Sequence, residues 1–192
     1  MPNLTSDEKI RQDNIYNIFI SIEGYLENIE LKISEEERLS DIVASLEAGN
    51  KRVSREEALK HIERNSSEVL KSDLAEISLN VGKIYGKMFL LRIICNFEDT
   101  ISTLNEAEKV GKKLTAGQTK EKEKITIYNN IVKRCESIQE SFFRNKNISE
   151  SDLSSLISYI SFEIGNLYTS CLYLENYFGM ESIRNRIENR ER

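Results

Sequence analysis

Apolar positions recur along this chain at steps of three and four, the spacing that lines side chains along one face of an α-helix. Ile15, Ile18, Phe19, Ile22, Leu26, Ile29 and Ile33 form the first such stripe. Thr5 and Glu8 stand ahead of it as a capping box, in which hydroxyl and carboxylate each satisfy a free amide of the first turn. Ser34 with Glu37 makes a second box before Leu39, Ile42, Val43 and Leu46, and Gly49 is placed to end that helix. Ser54 with Glu57 makes a third, before Leu59 and Ile62. The spacing predicts helices near 6–33, 35–48 and 55–70.

The later seams are more regular. Leu70, Leu74, Ile77, Val81, Ile84, Met88, Leu91 and Cys95 alternate mostly by fours and threes, and the pattern continues less strictly through Ile101 and Leu104. Leu153, Ile157, Ile160, Ile164, Leu167, Cys171, Leu174 and Phe178 keep the alternation unbroken, and between the two lies a wider stripe from Ile125 to Phe142. Narrow seams of this kind pack along a partner helix at a shallow angle. They predict long helices near 73–111, 119–144 and 150–178, with Gly179 closing the last. A helix of 39 residues would be about 58 Å long, so the first of these is expected to bend, at Gly82 or Gly86, or to project. Ser78, Gly82 and Gly86 fall four apart, as do Ser161, Gly165 and Thr169. These small faces are expected to pack on each other, or on those of a second copy.

The chain thus reads as all-α: an elongated helical bundle of about five to six amphipathic helices with short polar connections. It forms a single domain over residues 1–192. Shorter helices fill about 6–70, the long-helix bundle about 73–178, and a charged tail 180–192. One proline and eight glycines in 192 residues are too few for the turns a sheet protein requires.

Met1 to Ile10 is polar and offers no apolar region of a signal peptide, and Met88 to Phe97 is too short for a membrane span, so it is assigned to the core. Cys95, Cys135 and Cys171 lie too far apart for a close-set metal site and are odd in number for a disulfide framework. A soluble cytoplasmic protein, without metal or cofactor, is the expectation. Its one histidine excludes a di-iron bundle, which needs two Glu-x-x-His motifs.

Charge is unevenly spread. Residues 1–50 hold four basic side chains against eleven acidic ones, net −7, whereas residues 109–124 hold six lysines against Glu121 and Glu123, net +4. Gly111 to Thr119 has the glycines and lysines of a phosphate loop in the wrong order and reads as a helix–helix connection. The Lys109–Lys124 connection could contact an anion or nucleic acid, although the overall charge of −5 opposes general nucleic-acid affinity. Arg55-Glu56-Glu57-Ala58-Leu59-Lys60-His61 resembles the arginine, four to six residues, histidine pattern of the HEPN family. That resemblance implies an all-α ribonuclease in which Arg55 and His61 bind phosphate and move a proton. Taken by itself, His61 is a helix residue one turn after Glu57.

The reading that accounts for most of the chain is a non-enzymatic protein-interaction module: an adaptor, a regulator, or an immunity or antitoxin-type binder. Its partner is a protein or a second copy of itself. Lys112, Lys113 and Lys120 on the connection and Tyr168, Tyr173 and Tyr177 beside the last seam are the expected contact residues.

Overall fold

Residues 5–47, 67–144 and 150–180 are described by the computed structural model, and among them every regular element is a helix. They are α1 (Ser6–Glu47), α2 (Ser67–Cys95), α3 (Phe97–Lys109), α4 (Ala116–Arg144) and α5 (Glu150–Tyr177). Of the helix expected over 55–70, residues 55–66 lie outside the described residues, as do the Arg55–His61 pair and the tail beyond residue 180; residues 67–70 belong to α2, which starts six residues before the expected 73.

The capping box that starts α1 forms as its residue types require: the Thr5 amide donates to Glu8 Oε2 at 2.9 Å, and the Glu8 amide donates to Thr5 Oγ1 at 3.3 Å. The expected interruption at Ser34 is absent, and α1 runs on for 42 residues, about 63 Å. No glycine or proline lies between Gly24 and Gly49. A serine inside a helix costs only about 0.5 kcal/mol, whereas two new helix ends would leave backbone groups unpaired. Continuing is cheaper.

The predicted 73–111 helix is two helices, broken at Asn96 and not at either glycine. Asn96 adopts the left-handed conformation (φ 53°, ψ 47°), which asparagine tolerates better than other residues with a Cβ. Its side-chain amide donates to Asp99 at 2.6 Å, and Arg92 pairs with Glu98 across the break. The turn rotates Phe97 into the core, where its ring meets the Tyr128 ring edge-on at 5.1 Å. In an unbroken helix Phe97 would lie far round the cylinder from Cys95. At the far end of α3, Gly111 takes φ 65° and the Lys112 amide donates to the Ala107 carbonyl at 2.9 Å, a glycine stop of the expected kind. Helix α4 starts three residues earlier than expected, because Thr115 and Gln118 form a further capping box.

Cross-helix contacts define the bundle. Lys32 reaches Asp73 at 3.1 Å and Lys83 lies over the Tyr25 ring, so α1 and α2 run antiparallel. Tyr85 donates to Glu136, and Gly82 lies against the end of Gln139, which sets α2 antiparallel to α4. Arg134 pairs with Glu163 at 2.7 Å, and Tyr177 donates to Glu123 at 2.7 Å, which does the same for α4 and α5. Phe19 against Phe178, the residue that follows α5, joins α1 to the end of α5. Thus α1, α2, α4 and α5 form a four-helix bundle in which α2 and α5 occupy diagonal corners, and α3 packs beside the first turns of α4. One hydrophobic core draws on all five helices, with Ile22, Leu91, Phe97, Ile131 and Leu167 among its fully buried members. Each such side chain contributes about 1.5–3 kcal/mol by leaving water.

The small faces of α2 and α5 do not pack on each other as expected. A Cβ at Gly86 or Gly165 would meet nothing within 4 Å, and at Gly82 it would meet only the end of Gln139 on α4, at 2.9 Å. Diagonal placement keeps the two backbones apart. Gly86→Ala should therefore stabilise the protein, by about 0.5–1 kcal/mol, read as a rise in thermal midpoint. A fall would mean that the glycine meets another backbone.

Candidate functional site

Exposed positions on most of the bundle are charged or polar, as a chain with 31% charged residues would lead one to expect. Two helices depart from this. Between Ser158 and Asn176 the exposed residues of α5 are Ser158, Tyr159, Phe162, Gly165, Tyr168, Thr169, Leu172, Tyr173 and Asn176, none of them charged. Phe162 is 67% and Tyr173 59% exposed. Between Tyr85 and Asn96 the exposed residues of α2 are Tyr85, Gly86, Phe89, Leu90, Ile93 and Asn96, again without charge. Leu79 is also exposed, two turns back, beyond the exposed Lys83.

The α2 face corrects the assignment of Met88–Phe97 to the core. Met88, Leu91, Cys95 and Phe97 are buried, but Phe89, Leu90 and Ile93 are not. A helix in a four-helix bundle buries one stripe, and this segment carries apolar residues on more than one face, with Arg92 its single charge. The surplus faces water.

The six expected contact residues divide into groups. Tyr168 and Tyr173 lie on the α5 face and are exposed. Tyr177 is half-buried and ties α5 to α4 through Glu123. Lys112, Lys113 and Lys120 are exposed at the tip where α3 turns into α4, at the end of the bundle where α1 begins. With Lys109 they form no ion pair among the described residues, whereas Lys122 pairs with Glu108 and Lys124 with Glu121. Lys124 also lies over the Phe178 ring, 4.8 Å from its centre. The connection is thus partly neutralised from within. The members missed from the sequence are Phe162 and Leu172 on α5 and Phe89, Leu90 and Ile93 on α2.

The three cysteines are not poised as nucleophiles. All three cysteines are buried and free, and burial pushes each thiol up, Cys135 to about 12. A thiol held protonated is a core filler and a poor nucleophile. No group of three His, Cys, Asp or Glu side chains among the described residues could hold a metal ion. No described helix is long and apolar enough to cross a membrane.

The fold and the exposed faces together define a four-helix bundle with two uncharged apolar surfaces at diagonal corners. Compared with known proteins, the chain matches no family model, no curated protein and no solved structure.

Proposed function

We propose that the protein is a non-enzymatic binding module that engages protein partners through the exposed faces of α2 and α5. The observation that carries this reading is the run of exposed positions from Ser158 to Asn176 without a single charge, on a chain with 59 charged side chains. Exposed aromatic residues cost solubility unless a partner covers them, and tyrosine and phenylalanine are enriched where proteins meet. The aromatic rings supply area, and the tyrosine hydroxyls stay wet at the rim.

Affinity capture from cells with three variants tests the proposal. Phe162→Glu and Phe89→Glu place a charge in each face without touching the core, and Lys133→Glu on exposed α4 serves as control. Partners bound by the wild type should be lost from one or both face variants and kept by the control. Equal recovery across all three would reject both faces.

A further inference from the structure

We infer that the α5 face pairs with a second copy of this chain, antiparallel about a two-fold axis at the level of Leu167. The inference rests on the interaction reading above and names its partner. Ser158, Phe162, Gly165, Thr169, Leu172 and Asn176 are all exposed, and they step by 4, 3, 4, 3 and 4. This is a second seam of coiled-coil spacing, on the opposite side of α5 from the buried seam of Ile160, Ile164, Leu167, Cys171 and Leu174. Its residue types run polar, large, small, small, large, polar. The order is the same in both directions.

A pattern of that symmetry is what an isologous contact requires, since each residue must meet its counterpart on the same surface of the other copy. Antiparallel pairing sets Phe162 of one copy against Leu172 of the other, and Gly165 against Thr169. The small pair at the centre lets the two backbones approach, and the large residues close over each end. Nothing inside the monomer explains Gly165, where a Cβ would find only open space, although glycine is among the poorest helix formers. The backbone of a second copy could use that opening. By contrast, the α2 face runs from Leu79 through the exposed, charged Lys83 and Gly86 to Phe89, Leu90 and Ile93, so pairing it with itself about Gly86 would set a lysine against Phe89.

Area and charge are consistent with a reversible dimer. At roughly 200 Å² per aromatic side chain, the exposed parts of Tyr159, Phe162, Tyr168, Leu172 and Tyr173 amount to about 450 Å² per copy. Two copies would cover roughly 900 Å² before backbone and flanking polar atoms are added, close to the lower bound of about 1,000–1,200 Å² for a specific interface. Each copy carries a net charge of −5, so an uncharged contact keeps like charges apart. Glu163, next to Phe162 in the chain, is held by Arg134 at 2.7 Å.

Sedimentation equilibrium of the full chain tests this, with Phe162→Glu, Gly165→Leu and, as control, Phe89→Glu. The wild type should dimerise with a Kd on the order of micromolar, and Phe162→Glu should weaken the dimer roughly tenfold or more. Gly165→Leu should weaken it too, while raising the melting temperature of the dilute monomer, because leucine is the better helix former. Phe89→Glu should leave the dimer unchanged. Four results would overturn the inference: a wild type that stays monomeric, a dimer indifferent to Phe162→Glu, one equally weakened by Phe89→Glu, or growth into longer polymers, which would join α5 to α2. A monomeric wild type that loses a different protein partner on Phe162→Glu would reject self-pairing and keep the interaction reading. If neither self-pairing nor another partner depends on Phe162, both fail for this face.

Discussion

Phe97→Ala is expected to cost about 3–5 kcal/mol of stability, the largest loss anticipated for a single substitution in this molecule. Phe97 is 1% exposed and packs edge-on to Tyr128, so truncation removes a whole ring from a site that cannot readily collapse. The backbone on its amino-terminal side is already fixed in the left-handed turn at Asn96, and α4 is fixed by its contacts with α2 and α5. The cavity would therefore stay open. Urea unfolding followed by circular dichroism measures the change. A loss below about 1 kcal/mol would show that α3 contributes little to the shared core.

Glu175→Gln is expected to stabilise the protein at alkaline pH and to leave it nearly unchanged at pH 4. Glu175 is 5% exposed on α5, and burial raises its pKa from 4.5 to about 7. The folded state therefore binds this proton more tightly than the unfolded chain does. Its contribution to stability is fully present below about pH 4.5 and is lost as pH rises through about 7. Glutamine keeps the shape and removes the titration. After allowance for solvent screening, the gain at pH 8 should be about 2 kcal/mol, and the slope of stability against pH between 5 and 7 should flatten. Denaturant midpoints at a series of pH values would show it. An unaltered slope would place the titration elsewhere.

The long seams were legible because helix periodicity is a local property. Ile131 and Leu167 sit on their stripes whatever they pack against, and both are buried. The break at Asn96 had a visible trace in the step from Cys95 to Ile101, where the alternation of threes and fours lapses. Its position was obscured because glycine is the more usual helix breaker, while Gly82 and Gly86 lie in the helix without bending it into two. Ser34 misled for the opposite reason: a capping box is a permitted helix start, not an obligatory one. The site was the least legible part. Periodicity says that Phe89 and Met88 are both apolar, but only the bundle decides that Met88 is enclosed and Phe89 is not. The tyrosines of α5 were visible as an edge. The seam formed by Phe162, Gly165, Thr169 and Leu172 was hidden behind the stronger inner one.

The diagonal placement of α2 and α5 also bears on stoichiometry. With α1 and α4 between them, a ligand seated on one face leaves the other open, and two ligands of ordinary size need not compete. A dimer joined through α5 would carry two α2 faces pointing away from each other, and so be bivalent. Any target displaying two sites at matching separation would then be held with an avidity above the strength of either contact alone, and severing the α5 contact would lower that retention without altering a residue that touches the target.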